Sequence, residues 1–406
     1  MSLRARLSRL QGQPGSAAPL SARADSDLRR RLARIEGRRH AAIRQDPDQA
    51  TRDETLARAL KGYPIGDGLI QISRRIPLEG SMGQLPLSLL AETPRLPGDQ
   101  LQAHRRQVYI DTETTGLSGG SGTLAFLVGM AHVEGDAIRV TQYMITRFAA
   151  EGAMLDAFAL ALSGEDRLIS YNGKSYDLPL LGTRYRIQRR ADDLNRLPHL
   201  DLLHPVRRLF SSRWPDCRLI TLEQRLLGLH RHNDLPGSAA PEAWFDFVRS
   251  GSTPRLARVV HHNRQDLLSL ALAHAALTQV ISQPQRHGAD VAALARWLAD
   301  SDKKAAYDLL KQQRQRLPPA GKALLGRLAK GLGDWALAQQ IWQGLAQRGC
   351  RNAAEQLAKY HEHVSKDLET AKYYCEQLPA DEAQRRRLKR IENKLFRRAI
   401  QPELRE

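Results

Sequence analysis

Hydrophobic positions follow two different patterns along this chain. Between residues 106 and 282, short apolar runs rich in Val, Ile and Leu alternate with longer stretches of helical spacing. Such alternation predicts an α/β domain in which helices flank a mixed sheet. After residue 290 the strand-like runs stop and only helical spacing remains, which predicts an all-α domain over residues 290–400.

The apolar runs place several elements of the central domain. Residues 124–131 and 139–144 are predicted to be neighbouring strands, and residues 154–162 and 219–227 to be helices. Residues 68–73 alternate like a strand as well. They belong to a lead-in segment that we expect to pack on the central domain.

The two ends of the chain differ from its centre. Residues 1–60 are rich in arginine and are predicted to form a basic, mobile arm with one short helix near residues 28–35. The lead-in segment then covers residues 61–105. At the other end, residues 389–398 are predicted to form a basic terminal helix.

A weak repeat runs through the helical region. The pattern of small and apolar residues that begins at Asp334 returns 33 residues later at Asp367, and a fainter copy begins near Asp302. Small residues in a helical apolar pattern at this period resemble tetratricopeptide-like helical hairpins. A plain antiparallel helical bundle is the alternative.

Charge and cysteine content narrow the class of protein. The 406 residues include 62 Lys and Arg against 44 Asp and Glu, a net charge of +18, which fits a phosphate-rich partner such as DNA or RNA. Arginines that merely coat helices would give the same balance. Cys217, Cys350 and Cys375 form no metal-ligand spacing, and neither a membrane span nor a secretory signal is evident. A cytoplasmic protein without a membrane partner is expected.

Two acids at the end of a predicted strand are the first candidates for chemistry. Asp111 and Glu113 follow an apolar, β-branched run and would project from the same face of the strand. Their mutual repulsion is relieved if a cation lies between them, and hard oxygen ligands suit Mg²⁺ or Mn²⁺. The alternative is an ordinary strand end with two solvated acids.

Three further acids lie in contexts that suit such a site. Asp177 comes where a helix should begin, so it is either a helix cap or a metal ligand. Asp266 adjoins an apolar helical run, where a carboxylate without a partner would be poorly hydrated. Asp201 lies in another apolar context and either supports the site indirectly, ends a strand or caps a helix.

Taken in order, these residues resemble the DEDD superfamily of 3′–5′ exonucleases, which share the ribonuclease-H-like fold. Residues 111–117, Asp-Thr-Glu-Thr-Thr-Gly-Leu, fit the first motif, and residues 172–177 fit the second. His261 and Asp266 have the spacing of the histidine-type third motif. The glycine-rich insert at residues 118–123 and the segment from 217 to 237 resemble the YprB-type branch.

The resemblance implies a set of site residues. Two Mg²⁺ or Mn²⁺ ions would clamp the scissile phosphate, and a histidine would take a proton from the attacking water. The implied metal ligands are Asp111, Glu113, Asp177 and Asp266. The implied catalytic residues are His261 or His262, together with Glu113. The implied substrate-binding residues are Thr114, Gly116, Leu117, Asn172 and Tyr176.

The choice between the two histidines depends on where the helix begins. On a continuous helix, His262 shares a face with Asp266, whereas His261 points away. If Asn263 caps the helix, both histidines lie in a loop and helical spacing does not apply. The spacing of the third motif favours His261.

Three functions are compatible with these motifs. A metal-dependent 3′–5′ exonuclease is favoured because the acid set is intact and a histidine lies five residues before Asp266. A catalytically inactive scaffold would bind nucleic acid, or a protein partner through its C-terminal helical repeats. An endonuclease or resolvase would use the same fold and two-metal chemistry for internal cleavage.

Overall fold

A computed structural model describes residues 47–99, 105–116 and 122–400 of the chain. The predicted basic arm lies outside the described residues up to Asp46, as does the short helix expected near residues 28–35. Helix α1 spans Pro47–Ala59, so the last part of the predicted mobile arm is helical instead.

One seven-stranded sheet organises the central domain, with the strand order β1-β2-β7-β6-β5-β8-β9. Its strands are β1 (Tyr63–Gly66), β2 (Leu69–Pro77), β5 (Arg106–Thr114), β6 (Ala125–Glu134), β7 (Ala137–Ile145), β8 (Asp166–Ser170) and β9 (His199–Asp201), and a separate small hairpin contains β3 (Ser81–Met82) and β4 (Leu85–Pro86). Strands β5, β8 and β9 are parallel to one another, while β1, β2, β7, β6 and β5 pair in antiparallel fashion. The sheet is therefore mixed, as the sequence predicts.

The predicted strands are found close to their expected positions. Residues 124–131 and 139–144 correspond to β6 and β7, which pair from Leu127 opposite Met144 to Glu134 opposite Ala137. The alternating segment at residues 68–73 is part of β2, which pairs with β7 from Leu69 to Pro77. The lead-in segment thus adds strands to one edge of the sheet, because its alternating pattern suits a strand with one buried face.

Helices cover both faces of the sheet. Those of the central domain are α2 (Glu151–Leu160), α3 (Asp177–Ile187), α4 (Leu203–Phe210), α5 (Leu219–Leu222), α6 (Ala240–Ser250) and α7 (Pro254–Ser282). The helix predicted at residues 219–227 changes to π-helical geometry over Glu223–Leu227. π-Helical turns are rare and frequently lie at functional sites.

The two faces of the sheet contribute to two apolar cores. On β5, Val108 and Ile110 join the core that contains Trp244 of α6. Tyr109 points the other way and joins the core that contains Leu267 and Leu270 of α7. The period of two along a strand accounts for this division.

The C-terminal region is entirely helical over the described residues. Its helices are α8 (Val291–Leu298), α9 (Lys303–Gln312), α10 (Pro319–Gly331), α11 (Trp335–Ala346), α12 (Arg351–His363), α13 (Leu368–Glu376) and α14 (Glu382–Ile400). The predicted order of an α/β domain followed by an all-α region is confirmed. The basic helix expected at residues 389–398 is the latter part of α14. None of the described helices combines the length and apolar character that crossing a membrane would require.

The repeat in the sequence marks the starts of helices. Asp302, Asp334 and Asp367 are the N-caps of α9, α11 and α13, and each side chain accepts a backbone N–H from its own first turn. Consecutive helices from α8 to α14 pack against one another. Capping and packing explain the 33-residue period, and a tetratricopeptide-like assembly of these hairpins stays a prediction.

Helix α8 belongs partly to the central domain. Leu294 joins the same core as Leu209 and Phe210 of α4. The backbone N–H of Asp290 donates to the Leu209 carbonyl oxygen at 2.8 Å. The domain boundary expected at residues 282–290 would therefore place α8 outside the central domain, although α8 contributes to the core of that domain.

Candidate active site

The end of strand β5 lies between the two layers of helices. Asp111 and Glu113 share the side of Tyr109, which faces α7, and Thr112 projects from the opposite side. Helix α7 packs across β5, and this brings Asn263 and Asp266 to the strand end. Acids from three separate segments can therefore meet there.

Asp177 reaches the strand end from the other layer. It is the first residue of α3, and the hydroxyl of Thr112 donates to its Oδ1 at 2.5 Å. Tyr176 occupies the N-cap position and makes no side-chain capping bond. The helix-cap interpretation of Asp177 is therefore wrong. Burial raises the pKa of its carboxyl group to about 6.

Asn263 holds Asp111 in place. Its side-chain nitrogen donates to Asp111 Oδ2 at 2.7 Å and to the Asp111 carbonyl oxygen at 3.2 Å. Gln142 fixes the amide by donating to Asn263 Oδ1 at 2.8 Å. Because α7 already begins at Pro254, the idea that Asn263 caps this helix is wrong.

The buried amide fits because strand β6 carries a glycine opposite Asp111. Gly129 pairs with Asp111 across the ladder. A Cβ at Gly129 would overlap Asn263 Oδ1 and lie 2.8 Å from a methyl carbon of Leu267. Glycine within a strand commonly marks such a close approach.

The four acids implied by the motifs lie within electrostatic reach of one another. Burial is the main reason that the pKa of Asp111 is well above its usual range, and Asp266, Asp177 and Glu113 raise it further. The pKa of Glu113 is likewise raised by burial, then by Asp266 and Asp177. The fold thus concentrates negative charge in a poorly hydrated place, which is typical of functional sites.

A buried arginine, absent from the sequence prediction, reaches into this cluster. The side chain of Arg231 is 6% exposed and forms ion pairs with Glu223, Asp234 and Asp266. Ser269 donates a further hydrogen bond to Glu223. The segment at residues 217–237 therefore contributes a cation and two additional acids to the site.

The two histidines occupy different environments. His262 lies with its Nδ1 2.7 Å from Asp234 Oδ2 and its Nε2 3.6 Å from Asp266 Oδ2. His261 is exposed, and its Nδ1 accepts a hydrogen bond from Arg264 at 2.8 Å. The continuous helix therefore places His262 one turn from Asp266 and turns His261 away, so the geometry favours His262, and the choice of base stays a prediction.

The residues expected to bind substrate form a brace beside the strand end. Tyr176 donates from its hydroxyl to the Gly116 carbonyl oxygen at 2.8 Å, and the Thr114 hydroxyl donates to the same oxygen. Asn172 adopts a φ of +68°, the left-handed geometry expected of a turn residue. Leu117 lies outside the described residues, as does most of the glycine-rich insert.

Asp201 supports the loop that leads to α3 without joining the acids directly. Its carboxylate accepts the backbone N–H groups of Asn172, Lys174 and Leu203 at 2.8 to 3.1 Å. Leu203 is the first residue of α4. These contacts fit a strand-end or helix-capping role. The two bonds to Asn172 and Lys174 also fix the loop that leads to Asp177.

The donor set fits a divalent cation in its chemistry. Hard oxygen ligands could come from the carboxylates of Asp111, Glu113, Asp177 and Asp266. Burial raises the pKa of the first three carboxyl groups, and a cation beside them would lower it. Across the described ranges, no three His, Cys, Asp or Glu side chains converge at metal-ligand distance. Asp266 is held by Arg231 instead.

Sequence reasoning missed four participants: Glu223, Arg231, Asp234 and the orienting role of Asn263. The only signal for the first three was a charged loop after Gly228, which follows an apolar run containing Glu223. Nothing in its spacing indicated that the loop returns to α7. The signal for Asn263 was Gly129, a glycine inside the predicted apolar strand at residues 124–131.

Comparison with known proteins identifies the fold of the central domain. Residues 108–278 match the RNase_H superfamily, described as RNase_H_2, so the central domain has the ribonuclease-H-like fold. The uncharacterized protein YprB of Bacillus subtilis (strain 168) is 34% identical over 291 residues, covering 68% of this chain and 69% of that protein.

Among solved structures, the chain is similar to the family B DNA polymerase from the hyperthermophilic archaeon Pyrobaculum calidifontis. The identity is 12% and the TM-score is 0.33. The match covers 64% of this chain and spans only 35% of the polymerase chain.

Proposed function

Because the chain belongs to the same family as YprB and contains an RNase_H-superfamily domain, we propose that it is a metal-dependent 3′–5′ exonuclease. Its proposed reaction is hydrolysis of the terminal phosphodiester bond of DNA or RNA. The observation that carries this proposal is the electrostatic interaction of Asp111, Glu113, Asp177 and Asp266 with one another at the end of β5.

In this proposal the four carboxylates hold Mg²⁺ or Mn²⁺, ions that activate water and neutralise the charge developing on a phosphate. Asn263 orients Asp111 by donating to Oδ2. Thr112 orients Asp177 in the same way. These neutral donors fix the carboxylates without competing for the ions as a positive charge would.

His262 is the proposed general base. His262 Nδ1 lies 2.7 Å from Asp234 Oδ2 and 3.1 Å from Arg231 Nη1, and the shorter contact selects the tautomer whose Nδ1–H donates to Asp234. In that tautomer Nε2 carries a free lone pair beside Asp266. A neutral imidazole in that place can accept the proton of the attacking water. Asp234 would fix the tautomer, and His261 would take no part.

The proposed substrate is a nucleic acid. The net charge of +18 favours a polyanion, since sequence-independent affinity for nucleic acids is mainly electrostatic. The brace of Thr114, Tyr176 and Gly116 would line the approach of the terminal nucleotide. We also expect, on the basis of the helical repeat, that the C-terminal helices present a surface for a protein partner.

The test is a cleavage assay on purified full-length protein. DNA and RNA oligonucleotides, labelled at either the 3′ or the 5′ end, are incubated with Mn²⁺ or with EDTA. We expect a 5′-labelled strand to shorten stepwise with Mn²⁺ only, and the Asp111→Asn variant to leave it intact. Internal fragments would support the endonuclease alternative, and tight binding without any cleavage would support the scaffold.

A further inference from the structure

The surroundings of Arg231 give this side chain a role in the acid cluster. We propose that Arg231 is a built-in cation that holds Asp266 in the metal-free protein and competes with a divalent ion for that carboxylate. The inference rests on the proposed metal site and adds a control of its occupancy. It concerns one arginine and the acids that surround it.

The position of Arg231 is that of a counter-ion inside the cluster. Glu223 is fully buried, while the side chains of Asp234 and Asp266 are 17% and 14% exposed. Buried charges of one sign are costly unless a charge of the opposite sign accompanies them. A guanidinium group cannot release this constraint by losing its proton, because it stays charged at any physiological pH.

The compensation is incomplete, and this leaves a place for a further cation. Within the described residues, Asp111, Glu113 and Asp177 form no ion pair with Lys or Arg. Among the four proposed ligands Arg231 forms an ion pair with Asp266, and its charge also acts on Glu113 without offsetting the effect of burial there. The acids nearest β5 therefore still favour a positive charge, and Asp266 is the ligand that both cations would share.

Arg231 can give up Asp266 without losing its other partners. Its Nε donates to Glu223 Oε2 at 2.8 Å and its Nη2 to Glu223 Oε1 at 2.5 Å, a bidentate pair. Its Nη1 donates to Asp234 Oδ2 at 2.9 Å. The bond to Asp266 is an additional contact from Nη2, so Glu223 would retain the guanidinium when Asp266 turns to an ion.

Two variants of the full-length protein test the competition, with Mn²⁺ alone as the probe. Arg231→Gln removes the competing charge, so we expect a lower melting temperature without metal and Mn²⁺ binding about tenfold tighter by calorimetry. Glu223→Gln removes the carboxylate that binds Arg231 at two oxygens, so the guanidinium should bind Asp266 more strongly. We expect this variant to bind Mn²⁺ more weakly than the wild type.

Arg167→Gln is the matched control. Arg167 is also a buried arginine in an ion pair, 2.7 Å from Asp99, and it touches none of the four proposed ligands. This variant should lose stability and keep the wild-type affinity for Mn²⁺. A structural role for Arg231 would make Arg231→Gln behave in the same way.

The outcomes separate this inference from the proposed function. Unchanged or weaker Mn²⁺ binding by Arg231→Gln overturns the inference and leaves the metal site standing. If Arg231→Gln does not fold, Glu223→Gln decides, and an affinity equal to that of the wild type overturns the inference. Absence of Mn²⁺ binding in the wild type and in both variants overturns the proposed function as well.

Discussion

Two ion clusters, one in the α/β domain and one in the helical region, are built in opposite ways. At the end of β5 a single arginine, Arg231, is surrounded by acids. Between α12 and α14 a single acid, Glu362, is surrounded by Arg390, Lys394 and His363. Negative charge is in excess in the first cluster and positive charge in the second, and the consequence differs accordingly.

The helical cluster satisfies its buried charge. Arg390 donates twice to Glu362, at 2.6 and 2.8 Å, and Lys394 donates at 2.8 Å. The hydrogen bonds from Arg390 are the main reason that the pKa of Glu362 falls to about 2. In the α/β cluster the pKa values of Asp111 and Glu113 move upward. A buried carboxylate that is paired with cations stabilises the folded protein. Buried carboxylates without enough positive charge beside them repel one another, and a bound cation would relieve that repulsion.

The largest expected effect comes from neutralising one of the under-compensated acids. Asp111→Asn should reduce Mn²⁺-dependent cleavage to background, because a ligand is lost. The same change should raise the metal-free free energy of unfolding by about 1 kcal/mol, since it relieves repulsion among buried carboxylates. Cleavage assays and urea denaturation measure the two effects. A loss of stability without metal would contradict the repulsion inferred here.

Next in size is the loss of the proposed base. His262→Ala should lower turnover by about 10²- to 10⁴-fold, the range for removal of a general base. His261→Ala, its neighbour on the exposed side of α7, should leave turnover within about twofold. Single-turnover rates with a short oligonucleotide compare them directly. If the larger loss belongs to His261, the assignment from helix geometry is wrong.

A smaller loss is expected when the orientation of Asp111 is disturbed. Gly129→Ala introduces a Cβ that overlaps Asn263 Oδ1, so the amide must move away from Asp111. Removal of a supporting partner typically costs about 10- to 100-fold in metal affinity or activity. Calorimetry with Mn²⁺ would detect this loss. As the matched control, Gly135→Ala changes a glycine with open space around it, although its φ of +61° adds some strain there.

In the helical cluster, the expected change is in stability and not in cleavage. Glu362→Gln should lower the free energy of unfolding by about 1 kcal/mol at neutral pH, a modest value because Arg390 and Lys394 are partly exposed. The wild-type pKa of about 2 lies below that of an unfolded glutamate. Its stabilisation is therefore complete above about pH 4.3 and lost as the pH falls towards 2. Melting curves of both proteins should converge over that window.

Removing the helical cluster altogether should affect short substrates least. A chain ending at residue 301 keeps α8, and with it the contact of Leu294 with Leu209 and Phe210. We expect this form to be soluble and to cleave a short oligonucleotide at nearly the full-length rate. A chain ending at residue 288 loses that contact and should melt at a lower temperature. Equal melting temperatures would show that α8 belongs only to the helical region.

The sequence alone determined the chemistry available to the protein and the order of its domains. The period of two around residues 108–113 fixed Asp111 and Glu113 on one face of a strand. The loss of strand-like runs after residue 290 fixed the change to helices. Even the starts of α9, α11 and α13 could be read, since a capping aspartate is a local signal.

Tertiary structure decided which residues meet. His262, and not His261, lies one turn from Asp266 because α7 runs without interruption from Pro254, and helix continuity depends on packing against the sheet as well as on local sequence. Arg231 reaches Asp266 across 35 residues of chain, a separation at which no periodic pattern operates. Local spacing constrains neighbours along an element, whereas contacts between distant segments depend on how the layers fold together.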